Sequence, residues 1–159
     1  GSFDTAMKKI NESDLKEVLN EKALKEQVPV LGICLGMQLL TNSSEEGSLA
    51  GLGWIDAKTM SFKNRIDKKY RIPHMGWNIV NKSNVSLLTN GFEEFDETRF
   101  YFVHSYFVKV ENEKNSILKT SYGVEFDSAI QKDNIYGAQF HPEKSHKFGM
   151  KLFENFARI

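Results

Sequence analysis

Hydrophobic residues along this chain follow a helical spacing at the start and a strand-like spacing afterwards. Between residues 3 and 25, apolar positions recur every three or four residues, which predicts helix in two pieces, with Asn11 or Ser13 as the cap of the second piece. Residues 28–33 form a continuous apolar run, which is typical of a strand covered on both faces of a parallel sheet. Residues 35–40 then return to a helical pattern.

The second half of the chain is rich in strand-like segments. Alternating or continuous apolar runs predict strands at residues 54–62, 74–80, 100–110, 117–122, 128–131 and 135–140. A closing amphipathic helix is predicted for residues 144–158, and its inward side chains would be Phe148, Leu152, Phe153 and Phe156. Together these elements predict an α/β fold, a three-layer sandwich around a mixed, mostly parallel central sheet.

Composition narrows the class of protein. The 159 residues suffice for one domain with a sizeable core, and 21 Lys and Arg balance 21 Asp and Glu. Zero net charge argues against a nucleic-acid partner. No apolar run reaches the length of a membrane span, and a single cysteine suits a reducing compartment. We therefore expect a cytoplasmic protein with neither a nucleic-acid nor a membrane partner.

The single cysteine, Cys34, lies between Gly32 and Gly36 where the predicted strand gives way to helix. Small neighbours allow the sharp strand-to-helix turn that raises a nucleophile above a sheet. A thiol at a helix N-terminus also lies in the positive end of the helix dipole, which favours the thiolate. A buried structural cysteine is the alternative, but the two glycines and the change of pattern favour a nucleophile.

A candidate base lies near the other end of the chain. His141 follows the predicted strand at residues 135–140, and Pro142 restricts the backbone to extended geometry. Residues two apart in an extended segment point the same way, so Glu143 could reach the imidazole. An ordinary loop after a strand is the alternative. Together with Cys34, these side chains would supply a nucleophile, a base and an orienting carboxylate.

The other histidines offer less. His104 is a rival base, but no carboxylate lies two residues beyond it, so a structural role is expected. The spacing of His141 and His146 differs from the His-Glu-x-x-His pattern of metalloproteases. We therefore expect no metal site and no cofactor.

Four segments resemble the class I, or triad, glutamine amidotransferases. They are Gly32-Ile-Cys-Leu-Gly-Met-Gln38, Arg71-Ile-Pro-His-Met-Gly-Trp-Asn78, Arg99-Phe-Tyr-Phe-Val-His-Ser-Tyr106 and Gln139-Phe-His-Pro-Glu-Lys-Ser145. The second and third narrow the resemblance to the glutaminase subunits of imidazole glycerol phosphate synthase. The resemblance implies a flavodoxin-like amidotransferase domain with Cys34, His141 and Glu143 as the catalytic triad.

The resemblance also implies roles for residues around the triad. Leu35 would donate its backbone N–H to the oxyanion. The residues implied in glutamine binding are Gly36, Gln38, Glu46, Ser105 and Tyr106. The residues implied at a partner interface are Trp77, Asn78, Tyr101 and Lys144.

The implied activity is hydrolysis of glutamine to glutamate and ammonia through a cysteinyl thioester. The ammonia would pass to a (β/α)8-barrel synthase or cyclase subunit, bound as a heterodimer, for imidazole glycerol phosphate formation in histidine biosynthesis. One alternative is a paralogue that supplies ammonia for sugar amidination in surface-polysaccharide synthesis. Another is a non-catalytic binding subunit that keeps the fold.

The beginning of the chain departs from the pattern of the family. A doubly wound domain usually opens with a strand, whereas residues 1–7 resemble the segment that follows the Pro-Gly-Val-Gly turn of these amidotransferases. We therefore expect residues 1–159 to be one glutaminase domain that is incomplete at its N-terminus and lacks its first strands.

Overall fold

The computed structural model describes residues 2–159, so Gly1 and the part of the N-terminal expectation that rests on it lie outside the described residues. The chain opens with helices α1 (Ser2–Glu12) and α2 (Leu15–Asn20), and α2 continues into a π-helical turn, Glu21–Lys25. This confirms the predicted helix in two pieces. The N-cap of α2 is Asp14, so the expected cap at Asn11 or Ser13 is wrong; Ser13 lies one position earlier, where its hydroxyl accepts the backbone N–H of Leu15 at 3.3 Å.

Ten strands, two further α-helices and four short 3₁₀ turns follow along the described chain. The strands are β1 (Val30–Ile33), β2 (Ser43–Ser44), β3 (Ala57–Ser61), β4 (His74–Ile79), β5 (Asn81–Lys82), β6 (Arg99–His104), β7 (Tyr106–Val110), β8 (Ser116–Ser121), β9 (Glu125–Lys132) and β10 (Ile135–Ala138). The helices are α3 (Leu35–Leu39) and α4 (His146–Ala157). These elements confirm the predicted ones within a few residues at their ends, with one exception.

The exception is the strand predicted at residues 100–110, which is two strands in different sheets. Strand β6 pairs with β4 in a separate two-stranded sheet, whereas β7 pairs with β3 and β9 in the main sheet. The chain changes sheets at Ser105, whose carbonyl accepts the N–H of Phe62 at 3.3 Å. The apolar pattern runs unbroken through this point, so the break depends on pairing between distant strands and leaves no local signal.

The main sheet is mixed, as predicted, but most of its pairings are antiparallel. Its strand order is β1-β10-β9-β7-β3-β2, with β8 paired to β9 and β5. Among the described strands, β1 with β10 and β2 with β3 are parallel, and the others run antiparallel. The expected mostly parallel arrangement is therefore wrong. Short links such as residues 122–124 and 133–134 join strands that can only be antiparallel neighbours.

The main sheet is covered on both faces, which gives the predicted three-layer α/β arrangement. On one face, Met37 and Leu40 pack with Ala23 against Ile130 and Ile135. The opposite face packs against α4 and the two-stranded sheet through a group rich in phenylalanine, comprising Phe100, Phe102, Phe107, Phe126, Phe140, Phe148 and Leu152. Rings of Phe100 and Phe140 stack with centroids 3.9 Å apart.

One residue of α4 departs from its predicted orientation. Phe153 was expected to point inward with the other apolar residues of α4, but its side chain is 37% exposed, so that expectation is wrong. It lies at the margin of the apolar stripe, one position beyond the fully buried Leu152. Across residues 2–159, every helix is too short or too polar to cross a bilayer.

The turn between β1 and α3 leaves no room for a side chain at residue 32. A Cβ atom on Gly32 would lie 2.6 Å from the carbonyl oxygen of Gly36, whereas a Cβ on Gly36 would meet nothing within 4 Å. The backbone at Gly32 therefore packs directly against the first turn of α3, and only glycine fits there.

We predict that Gly32→Ala lowers the free energy of unfolding by about 1–3 kcal/mol, because the clash falls on backbone atoms that cannot rotate away. Gly36→Ala is the matched control and should leave that free energy unchanged or slightly higher, since alanine favours helix. Denaturant titration of both variants measures the difference. Equal destabilisation by the two alanines would contradict the prediction.

Candidate active site

Parallel pairing of β1 with β10 brings the predicted nucleophile and base to one edge of the sheet. The register aligns Ile33 with Ala138, the last residues of the two strands. Cys34 follows β1 directly, and His141 follows β10 after two intervening residues. Because parallel strands end at the same edge, two residues more than 100 positions apart in sequence lie in one region, where ligands of such sheets bind.

Cys34 has a strained backbone at the junction between β1 and α3. Its φ is 53° and its ψ is −108°, a backbone conformation that residues other than glycine rarely adopt. The Cys34 N–H donates to the carbonyl of Ala138 at 2.8 Å, which extends the β1–β10 ladder by one bond. Strain of this kind is typical of functional turns and persists only where surrounding contacts hold it.

The thiol of Cys34 is partly buried and has polar neighbours. Its Sγ lies 3.9 Å from the carbonyl of Val103, and Nε2 of Gln139 donates to Sγ across 3.7 Å. Burial raises the pKa of the Cys34 thiol above its ordinary value of 9.0, and the charges of Glu143 and Glu46 act in the same direction. Hydrogen bonds from the Leu35 N–H and from Gln139 lower the pKa, but by less than burial raises it.

The N-terminus of α3 favours the thiolate through the Leu35 N–H, as expected, but burial has the larger effect on the pKa of Cys34. Helix α3 has only five residues, and the helix-end donors do not outweigh desolvation of the sulfur. A thiol whose pKa is raised above 9.0 is protonated at neutral pH, so a reaction at the Cys34 sulfur would require a base.

His141 and Glu143 form a close pair. Nδ1 of His141 lies 2.6 Å from Oε1 of Glu143, and the carboxylate is about half exposed. The backbone of His141 is fixed by its N–H donating to the Tyr101 carbonyl at 2.9 Å. Ser145 completes this arrangement, because its buried hydroxyl donates to the His141 carbonyl at 2.6 Å and accepts the Tyr101 N–H at 3.0 Å.

A cleft of about 250 Å³ opens beside the thiol. Residues that line it include Cys34, Leu35, Gln38, Glu46, Val103, Ser105 and Tyr106. The structure thus brings four of the five predicted glutamine-binding residues together with the thiol. The fifth, Gly36, lies in the first turn of α3, where the space beside its Cα is open.

Two of the cleft side chains are held by contacts within the protein. Gln38 is 5% exposed, and its Nε2 donates to the Tyr106 carbonyl at 3.3 Å and to Oε1 of Gln139 at 3.1 Å. Oε1 of Glu46 accepts the N–H of Phe3 at 2.7 Å, which ties the loop after β2 to the start of α1.

His104 also lines the cleft, and it is largely buried, as a structural histidine would be. Its Nδ1 lies 2.7 Å from the Tyr106 carbonyl and its Nε2 lies 2.8 Å from Nδ1 of His74. Burial among aromatic rings lowers the pKa of His104 to about 3 and that of His74 to about 4. Both rings are therefore neutral at physiological pH.

Three of the four predicted interface residues lie together. Trp77 and Tyr101 are cross-strand partners of β4 and β6 with ring centroids 6.3 Å apart, and Lys144 lies over the Tyr101 ring at 5.9 Å. Trp77 shares an exposed face of β4 with Met75 and Ile79. Asn78 points to the opposite face, where its Nδ2 donates to the Ser121 carbonyl at 3.0 Å.

Sequence reasoning assigned no role to Gln139 or Ser145, although both lie in the segment that carries the family resemblance. Gln139 contacts the thiol and Gln38, and Ser145 joins the His141 backbone to β6. Both side chains are fully buried. The available signal for Gln139 was a polar residue inside the apolar run of residues 135–140, whereas the sequence around Ser145 carried no such signal. Within residues 2–159, no group of three or more acidic, histidine or cysteine side chains is arranged to hold a metal ion.

A strained cysteine on a strand-to-helix turn and a histidine–carboxylate pair therefore lie at one edge of the sheet, an arrangement typical of enzymes with a cysteine nucleophile. Residues 8–159 match the family described as glutamine amidotransferase class-I, so the chain belongs to that family.

Curated relatives give a finer match. The chain is 58% identical over 158 residues to imidazole glycerol phosphate synthase subunit HisH 2 of Methanococcus maripaludis, covering 99% of this chain and 76% of that protein. It is 48% identical over 160 residues to the HisH subunit of Bdellovibrio bacteriovorus, covering 100% of this chain and 78% of the relative. The chain thus spans about three quarters of these relatives.

Solved structures support the fold. A crystal structure of a glutamine amidotransferase superposes with a TM-score of 0.65 at 12% identity, covering 93% of this chain and 71% of the other. The structure of PurLQS from Thermotoga maritima gives a TM-score of 0.64 at 18% identity, and this chain covers 64% of its length, with 86% of this chain aligned.

The raised pKa of Cys34 leads to a test by alkylation. The rate of reaction with iodoacetamide should be low at neutral pH and should rise with a midpoint above pH 9, because only the thiolate reacts. Cys34 is the sole cysteine, so intact mass reports its modification directly.

Gln139→Met is the matched variant for this measurement. It removes the amide that stabilises the thiolate while keeping the side-chain length. The midpoint of the alkylation rate should therefore move to higher pH. A midpoint near pH 7 in the parent would contradict the assignment of a protonated resting thiol.

Proposed function

We propose that this chain is the glutaminase subunit of an imidazole glycerol phosphate synthase and that Cys34, His141 and Glu143 carry out the hydrolysis. The observation that carries the proposal is that Cys34, directly after β1, and the His141–Glu143 pair, just beyond β10, lie at the same edge of the sheet. The names of the curated relatives supply the particular enzyme.

The reaction begins with a proton transfer. His141 accepts the proton of the Cys34 thiol as the sulfur attacks the side-chain amide carbon of glutamine. The Leu35 N–H, which is directed at the sulfur in the resting protein, is near enough to stabilise the developing oxyanion. His141 then protonates the departing ammonia, and a glutamyl thioester remains on Cys34.

Hydrolysis of the thioester reverses these roles. His141 activates a water molecule, which attacks the thioester carbonyl and releases glutamate. Glu143 holds the imidazole in orientation through its contact with Nδ1 and stabilises the imidazolium. Gln38, Glu46, Ser105, Tyr106 and Gly36 form the glutamine site around the thiol.

A cyclase partner would receive the ammonia directly. In bulk water at neutral pH, most of the ammonia would be protonated to ammonium, which is not a nucleophile. The face formed by Met75, Trp77 and Ile79 on β4, with Tyr101 and Lys144 beside it, is the surface we assign to this (β/α)8-barrel subunit. Its three large apolar side chains are each at least 40% exposed, which is unusual for a sheet face that stays in water.

The two alternative functions have less support. The curated relatives described above are synthase subunits of the histidine pathway, which does not favour sugar amidination. A non-catalytic binding subunit would have no need of a strained cysteine beside a histidine–carboxylate pair.

Cys34→Ala should lower glutamine hydrolysis by more than about 10³-fold, because no other side chain can form the thioester. The same variant, assembled with the cyclase subunit, should still make product when ammonium salts replace glutamine. Coupled assays with each nitrogen source measure the two activities. Hydrolysis of glutamine at the parental rate by the variant would overturn the proposal.

His141→Ala and Glu143→Gln should separate the base from its orienting group. We expect His141→Ala to cost about as much as Cys34→Ala, since the two residues act as a unit. Glu143→Gln should retain on the order of 10²-fold more activity than His141→Ala, because it keeps a hydrogen-bonding group beside Nδ1 of His141. Parental kcat in Glu143→Gln, measured with the partner present, would remove Glu143 from the site.

A further inference from the structure

Two buried histidines, His74 and His104, form a polar connection that the proposed mechanism does not use. His104 is on β6 and His74 is its cross-strand partner on β4, the strand whose outer face is assigned to the partner. The connection begins at Asn78 and ends at the carbonyl of Tyr106 in the cleft wall.

Hydrogen-bond geometry fixes the proton positions in both rings. The Tyr106 carbonyl can only accept, so Nδ1 of His104 carries a hydrogen and donates to it at 2.7 Å. Nε2 of a neutral His104 accepts from Nδ1 of His74 at 2.8 Å. Nε2 of His74 in turn accepts from Nδ2 of Asn78 at 3.2 Å.

The orientation of the Asn78 amide is fixed independently. Its Oδ1 accepts the N–H of Ile79 at 2.8 Å, and its Nδ2 also donates to the Ser121 carbonyl. A charged His104 would donate from both nitrogens and force His74 to donate toward the amide nitrogen of Asn78. The neutral Nδ1–H form of both rings is therefore the arrangement in which every donor meets an acceptor.

Aromatic neighbours hold the two rings in place. The ring of His74 is stacked between Tyr122 and Phe102, with centroids 4.0 Å and 4.8 Å away. The His104 ring lies 5.2 Å from both Phe62 and Phe126. These contacts leave the imidazoles little freedom to rotate, so the Nδ1–H of His104 is directed at the Tyr106 carbonyl.

The Tyr106 carbonyl accepts two hydrogen bonds, one from His104 and one from Nε2 of Gln38. The other Nε2 hydrogen of Gln38 is used by Gln139, so the polar atom that Gln38 offers to the cleft is Oε1, an acceptor. An acceptor at this position suits the ammonium group of glutamine. A carbonyl that shifted would release Gln38 and alter this presentation.

We propose that His104, fixed in turn by His74, is a positioning residue that sets the Tyr106 carbonyl and the Gln38 amide for glutamine binding. The inference rests on the proposed glutaminase function. It assigns His104 no proton transfer, and it predicts an effect on KM for glutamine with little effect on kcat.

The test compares His104→Asn with His104→Gln in the full protein assembled with its cyclase subunit. Asparagine places an amide N–H where Nδ1–H stood, whereas glutamine places it near Nε2 and leaves the Tyr106 carbonyl without that donor. We expect His104→Gln to raise KM for glutamine roughly tenfold, the effect of one lost buried hydrogen bond. His104→Asn should retain a KM within about threefold of the parent.

Two controls accompany the kinetics. Thr120→Val removes a buried hydrogen bond, to Ser128, outside the cleft and should leave KM unchanged. Alkylation of Cys34 by iodoacetamide should be the same in His104→Asn as in the parent, because the asparagine keeps the donor to Tyr106 and so leaves Gln38 and Gln139 in place. A KM that is equal in the asparagine and glutamine variants would overturn the inference while leaving the glutaminase proposal intact.

A second measurement needs no substitution. ¹⁵N NMR of the histidine rings in the unmodified protein at neutral pH should show His74 and His104 neutral with the hydrogen on Nδ1. Either ring charged, or with its hydrogen on Nε2, would overturn the inference even if a variant failed to fold. Absence of glutamine hydrolysis by the unmodified complex would overturn the proposed function, and this inference with it.

Discussion

The parallel pairing of β1 with β10 determines where the chemistry of this protein takes place. Four aligned residue pairs, from Val30 with Ile135 to Ile33 with Ala138, bring the ends of two strands from opposite halves of the chain together. The Cys34 N–H adds one further bond to Ala138 and holds the cysteine in its strained conformation. A shift of one residue would turn every side chain of β1 to the other face of the sheet and carry the thiol away from the cleft.

Burial has opposite consequences for the two kinds of titratable group near the cleft. Desolvation keeps the Cys34 thiol protonated and the His74 and His104 rings neutral, so the resting site holds little charge of its own apart from its carboxylates. Under the proposed mechanism, the thiol reacts when His141 takes its proton. The neutral Nδ1–H form of His104 donates to the Tyr106 carbonyl while its Nε2 accepts from His74, an arrangement that a charged His104 would break.

Local patterns in the sequence were sufficient for the helices, for most strands and for the candidate triad. The glycines beside Cys34 and the spacing of His141 and Glu143 are local features, so they could be read without a structure. The division at Ser105 and the antiparallel character of most of the sheet depend on which distant strands pair, and the apolar pattern is the same in either case. The pKa of Cys34 likewise depends on burial by residues far away in sequence, whereas the helix-dipole argument considers only its neighbours.

The role of Cys34 as the nucleophile of a glutaminase site at the β1–β10 edge can be tested by trapping its thioester. The most direct measurement is mass spectrometry of the protein and its cyclase partner, quenched with acid during turnover of glutamine. A fraction of the chain should be heavier by one glutamyl group, which should lie on the peptide that contains Cys34 and should be removed by hydroxylamine. Turnover of glutamine without any such adduct, or with the adduct on another residue, would contradict that role.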